Sequence, residues 1–213
     1  MKRAGKIRNL LCQENGSIQL FRIFKYKVRS ILCKMKYGRK FKNFGRGSML
    51  IKPDRIIGME CISIRGGVSI LHHMRMEAVK SYGGKKFSPR IEIGERTSIG
   101  QNFHATAAGE LIIGKNVTIS GNVFAAACAH EYLAKDVHIL RQNLLAEKTV
   151  IGDGSFIGFG ACIMPGARLG KQNIAGSNCV VLKGEYPDYC VLAGVPARIV
   201  KKMNLQTGKW EKV

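Results

Sequence analysis

From Ile151 onward one apolar residue returns at every sixth position: Ile151, Ile157, Ile163, Leu169, Ala175 and Val181. Gly152, Gly158, Gly170 and Gly176 follow four of these anchors. Ser155, Ala161, Ala167, Asn173 and Cys179, all small or compact, stand four positions after the first five. Upstream the same texture recurs in Ile93-Gly94, Ile99-Gly100, Ile113-Gly114 and Ile119-Ser120. A period of six is neither helical nor simple alternation. It predicts a coil of three short flat strands joined by tight corners, about 18 residues per turn. The anchors point into the prism, the small residues sit where the interior is cramped, and glycine permits the corner conformation. Successive coils then stack about 4.8 Å apart through parallel ladders. The expected fold class is an all-β solenoid, a parallel β-helix.

The pattern breaks in two places. Ile99 and Ile113 are fourteen apart, which places two inserted residues near Ala108-Gly109. Between about Ala129 and Lys148 the period vanishes, and EYLAKDVHILRQNLLAEK (131–148) is expected to project as a loop. An excursion of that length from a regular solenoid is usually functional. Before the coil, Leu20, Phe24, Val28, Ile31, Leu32 and Met35 recur at three- and four-residue spacing, with Arg22, Lys25, Arg29 and Lys36 between them. Residues 17–37 therefore read as a basic amphipathic helix. Its apolar stripe either caps the end of the main domain or lies on an anionic membrane surface. The organisation expected is a basic helical arm over 1–48, a β-helix domain over 49–200 and a C-terminal tail over 201–213.

Charge sharpens that division. The 213-residue chain carries a formal net charge of +21. Residues 1–46 hold 14 Lys and Arg against one acid, Glu14, whereas the rest holds 21 basic and 13 acidic residues. The excess thus belongs to the arm, and no recognition motif or aromatic platform accompanies it, so nucleic acid is not expected as a partner. No apolar run reaches about 18 residues, so no spanning helix is expected. The basic opening lacks the continuous apolar stretch of a secretory signal. Seven scattered cysteines without a CxxC pair read as free thiols in a reducing cytoplasm.

The stretch IGDGSFIGFGACIMPGARLGKQNIAGSNCVVLKGEYPDYCVLAGVPARIVKK resembles the hexapeptide-repeat acyltransferases, and the likeness extends over about 50–205. The AGVPARIVKK ending and Trp210-Glu211-Lys212 look most like the O-acetyltransferases of lipopolysaccharide O-antigen and other surface polysaccharides. The resemblance implies a left-handed coil and a homotrimer with active sites between neighbouring prisms. It further implies acetyl-CoA as donor, no metal, a carbohydrate acceptor and a cytoplasmic enzyme, with peripheral membrane contact left to the arm. A histidine at the base of the protruding loop is the base in this family, and His130 in FAAACAHEY matches it.

The chemistry needs such a group. A sugar hydroxyl is a poor nucleophile near neutral pH, and an imidazole titrating close to pH 6.5 can take its proton as the new bond forms. Relatives carry Asp-His-x-His here, whereas this chain has Ala127-Cys128-Ala129-His130, so Glu131 or a main-chain carbonyl must orient the ring. Cys128 reads as a buried filler. The resemblance places His104 near the acceptor, followed by Thr106 where the galactoside branch has Asn. His72, His73 and Glu77 are further candidates, for the acceptor pocket of the adjoining subunit, set against a reading as solvated surface. For the donor, the resemblance puts Gly158, Phe159, Gly176 and Ser177 along the pantetheine arm, with Lys183 and Arg198 at the phosphates.

Three rivals remain. A γ-class carbonic anhydrase shares the coil but needs three converging histidines, and the His130–His138 interval does not fit. Transfer to the amine of an amino-sugar nucleotide uses the same donor. A trimeric scaffold without activity uses the same prism.

Overall fold

The computed structural model describes residues 16–213, with side chains from Phe24 onward, so the first fifteen residues of the expected arm lie outside the described residues. Gly16–Tyr37 forms one helix, and from Asn43 the chain winds through seven coils on three faces of parallel strands. Both the stripe of six-spaced anchors and the coil they predict are present, and the architecture is the left-handed β-helix. The first face runs from Asn43–Phe44 to Gly184–Tyr186, the second begins at Met49–Leu50, and the third runs from Arg55–Ile57 to Val180–Val181.

Equivalent residues stack directly. Ile64, Ile93, Ile113, Ile151 and Leu169 form one interior column, and Leu50, Ile70, Ile99, Ile119, Ile157, Ala175 and Leu192 another. All of these side chains are buried. Each fully buried Ile or Leu contributes about 1.5–3 kcal/mol, so the columns dominate stability.

The coil length changes along the axis. Ser98 aligns with Thr118 and His104 with Phe124, a repeat of 20 residues, whereas Ile151 aligns with Leu169 and Cys162 with Val180, a repeat of 18. The two extra residues lengthen the third face, where Arg75–Ala78 and His104–Ala107 are four-residue strands and Cys162–Ile163 has two residues. There Met76, Ala105 and Ala125 replace the branched anchors, because Met74, Phe103 and Val123 fill the interior beside them.

The glycines after the anchors serve a different purpose from the one expected. Gly158 is not in the left-handed region; a Cβ there would lie 2.6 Å from the amide nitrogen of Ser177 in the next coil. Close stacking of corners requires it. The left-handed residue comes two positions later, at Gly160 (φ 70°) and at Asn178 (φ 55°) one coil on.

The small polar residues are also more than fillers. Ser155 Oγ accepts from the Asn173 amide, and Asn173 Oδ1 accepts from the Cys190 amide, so one corner is pinned coil to coil. The buried Ser48 and Thr97 repeat the arrangement upstream. Each such bond contributes about 1 kcal/mol and selects the register.

The helix caps the first coil, but not with its apolar stripe. Ser30, Cys33 and Tyr37 are buried against the coil, with Tyr26 Oη donating to the Gly47 carbonyl at 2.9 Å. Tyr37, Phe41 and Phe44 form an aromatic plug with ring centroids 5.5–6.2 Å apart. Phe24, Val28, Ile31, Leu32 and Met35 stay exposed. The reading of that stripe as the cap is corrected accordingly: larger aromatics at the helix end close the core instead. At the other end Cys190–Gly194 pairs antiparallel with Ala197–Asn204, which pairs with Lys209–Lys212, so residues 201–213 extend the second face as a hairpin.

Candidate functional site

Two excursions leave the coil on the same side. One is a hairpin, Ser81–Tyr82 against Lys85–Lys86, turned by Gly83 and Gly84 with φ of 55° and 79°. Its signal is a Gly-Gly pair between short polar-aromatic runs, the pattern of a tight two-residue hairpin, which carries no six-residue period and was not among the sequence expectations. The other is the long loop. Phe124–His130 continues past the coil, and Leu144–Ala146 returns antiparallel to Cys128–His130. Gln142 clasps the loop between them, accepting from the Ala134 amide and donating to the Ala134 and Val137 carbonyls. Tyr82 Oη donates to the Leu140 carbonyl at 2.8 Å and ties the two excursions together.

Beneath them lies a cavity of about 470 Å³ on the outward side of the third face. Its walls include Val79, Tyr82, Cys128, His130, Leu144 and Met164. Glu77, Thr106 and Ala126 stack in register along the floor. The site is mostly apolar with a few convergent polar groups, the usual make-up of a small-molecule pocket. His130 Nδ1 is sealed from solvent and has no hydrogen-bond partner among the described residues. The ring is held from one side by Tyr82, edge-on at 5.1 Å between centroids. Nε2 is thereby left as the nitrogen that a ligand hydroxyl could reach, and an imidazole nitrogen so placed can accept a proton.

Among the acceptor candidates, Glu77 and Thr106 join His130 at the cavity. Glu77 is held by Arg75 at 2.8 Å and Arg55 at 3.1 Å. His104 lies two residues before Thr106 on the same outward side of the strand, with its ring against Phe124 at 5.3 Å. Burial, with help from Arg75 and against Glu77, holds the His104 pKa below the usual histidine value. Glu131 turns away toward Lys85, 4.0 Å distant, while its amide donates to the Asn143 carbonyl. It does not orient the His130 ring. His72 and His73 occupy a corner of the second coil outside the cavity, where His73 Nδ1 meets Asp54 at 3.1 Å. Cys128 Sγ lies 3.6 Å from Thr106 Oγ1, buried in the pocket wall.

The donor candidates divide between two corners. Gly158-Phe159 stacks directly on Gly176-Ser177, with the Asn178 amide donating to the Phe159 carbonyl at 2.8 Å. Gly176 in turn lies over Leu192 and Ala193, and Ala193 pairs with Arg198. A column of bare backbone thus runs down one corner and ends at an exposed guanidinium. Such a column suits a slender amide-bearing chain that terminates in phosphate. Lys183 occupies the neighbouring corner, where its ammonium meets Glu147 at 2.6 Å.

No protein-family model matches the chain. In sequence it is 29% identical over 57% of its length to WbbJ of Escherichia coli (strain K12), provisionally named a lipopolysaccharide biosynthesis O-acetyl transferase. It is 31% identical over 52% of its length to the galactoside O-acetyltransferase of the same organism. The chain spans 65% and 56% of the length of these two relatives. In fold it is similar to AntD, an N-acyltransferase from Bacillus cereus solved with dTDP and 3-hydroxybutyryl-CoA. The TM-score is 0.66 at 16% identity, covering 82% of this chain and 89% of that one.

Proposed function

We propose that the chain is a hexapeptide-repeat left-handed β-helix acyltransferase that moves an acetyl group from acetyl-CoA to a carbohydrate hydroxyl. The observation that carries the reading is His130, set in the wall of a pocket where the regular coil gives way to a clasped loop. The names of both Escherichia coli relatives, each an O-acetyl transferase, support a hydroxyl acceptor.

In this reaction the acceptor oxygen bonds to the thioester carbonyl carbon as His130 takes the hydroxyl proton. The carbon–sulfur bond then breaks, and the proton passes from the imidazole to the departing thiolate. Positioned acid–base groups of this kind contribute about 10²–10⁴-fold in rate. Glu77 and Thr106 face the acceptor. The Gly158–Gly176 column and Arg198 hold the donor, and Lys183 reaches its phosphates only by exchanging its Glu147 partner. The donor is a cytosolic cosubstrate, so the reaction belongs in the cytoplasm, and the name of WbbJ favours a surface-polysaccharide precursor as the acceptor. A homotrimer accounts for the exposed Tyr132, Leu133 and Leu140 on the loop, which would pack on a neighbouring prism.

The test combines melting and turnover. Acetyl-CoA at a hundredfold excess over its Kd should stabilise the protein by about 2.7 kcal/mol. The shift should exceed that of 3′,5′-ADP at matched concentration, and His130→Ala should keep it while losing acceptor-dependent CoA release. Equal shifts from both ligands would overturn the donor assignment. An alkali-stable product would replace the hydroxyl acceptor by an amine.

A further inference from the structure

The helix Gly16–Tyr37 has two dissimilar apolar faces, and the prism uses one of them. The face buried on the coil carries Ser30, Cys33 and Tyr37. At 3.6 residues per turn, Phe24, Val28, Ile31, Leu32 and Met35 fall on the opposite side of the cylinder, roughly 180° away. These five are exposed by 65, 39, 59, 58 and 77% of their surface. They form a continuous stripe about three turns long that nothing among the described residues covers.

Cations border the stripe on both sides. Lys25, Arg29 and Lys36 lie along one edge and Lys27 along the other, all exposed, while Lys34 beside Lys27 donates its ammonium to the Phe44 carbonyl of the coil. From Gly16 to Pro53 the chain has eleven Lys and Arg and no acid. No helix among the described residues is long and apolar enough to cross a membrane.

We infer that this helix is an interfacial anchor that lays its outer stripe into an anionic lipid surface. Apolar side chains there enter the boundary between headgroups and acyl chains, while lysine and arginine on both flanks extend to the phosphates. Each cation near such a surface adds to the attraction. A second copy laid stripe to stripe would bring two cationic borders together without a single acid to offset them. An acidic lipid surface satisfies both borders and the stripe at once. The rigid cap formed by Tyr26, Cys33 and Tyr37 fixes the prism beneath, so the helix holds the whole coil at the membrane. This inference stands independently of the acyltransferase reading.

The experiment is sedimentation of the full-length protein with vesicles of phosphatidylcholine alone and of phosphatidylcholine with phosphatidylglycerol, at about 0.15 M salt. The protein should pellet with the anionic vesicles only and be released at high salt. Ile31→Gln with Met35→Gln, and separately Lys25→Gln with Arg29→Gln, should each lower partitioning at least about tenfold. Unchanged melting temperatures would confirm that both variants fold. Absence of pelleting, or pelleting of both variants equal to that of the unsubstituted protein, would overturn the inference. Loss of assembled mass in the apolar variant with vesicle binding intact would make the stripe a contact between copies instead.

Discussion

The phenol ring of Tyr82 stands edge-on to the imidazole of His130, 5.1 Å between centroids, while its hydroxyl holds the Leu140 carbonyl across the loop. One side chain thus fixes both the proposed base and the segment that roofs it. Tyr82 acts here as a positioning residue. Tyr82→Phe keeps the ring contact and frees the loop; Tyr82→Ala loses both. The expected outcome is a raised acceptor KM with kcat nearly intact for Phe, and a fall of about tenfold or more in kcat for Ala. Equal kinetics for the two variants would sink the division of roles.

Thr149 sits where the loop rejoins the coil, fully buried, donating to the Ala126 carbonyl at 2.7 Å and accepting from the Gly166 amide at 3.0 Å. Thr149→Val preserves the shape and strands both backbone groups. A cost of about 2–4 kcal/mol is expected, read as a lower urea midpoint. A change below about 0.5 kcal/mol would mean that water replaces the hydroxyl.

Gly158→Ala should destabilise the protein by about 1–3 kcal/mol, because the new Cβ meets the Ser177 backbone. If the glycine column also holds the donor, the same variant should bind acetyl-CoA more weakly than its melting temperature alone accounts for. Equilibrium binding well below the unfolding range separates the two effects.

His104 ties stability to pH. Its folded-state pKa is lowered from 6.5, first by burial and then by Arg75, so the unfolded chain takes up this proton before the folded one does. Stability should therefore fall as pH drops below about 6.5 and level off once the folded-state imidazole also protonates. His104→Gln should flatten that segment of the urea-midpoint profile. An unchanged slope would assign the acid sensitivity to another group.

Much of this molecule is legible in the chain because a hexad reports a local constraint. Ile151, Ile157 and Ile163 each face inward for the same reason, so a spacing in one dimension names three faces of a solid. The helix Gly16–Tyr37 was equally readable, since its periodicity needs no partner. The long third-face strands were not. Phe103 with Ala105 and Ala107 fills the interior as well as a branched anchor does, and that equivalence is a matter of volume, which spacing does not encode.

The site divides in the same way. His130 stands out by its place at the edge of a broken repeat, but Tyr82 lies in another coil and meets it only when stacking brings the hairpin over the loop. Sequence placed Lys183 and Arg198 together by analogy; the corners set them apart, one paired to Glu147 and one beneath the glycine column. The sequence by itself determined the coil, the long loop that interrupts it and the amphipathic character of the arm, because each rests on periodic burial along one strand or helix or on its loss. Tertiary structure alone decided which face of the helix caps the prism, what surrounds the imidazole and where the free cations stand. Those outcomes depend on contacts between coils, where volume and angle, and not order along the chain, select the neighbour.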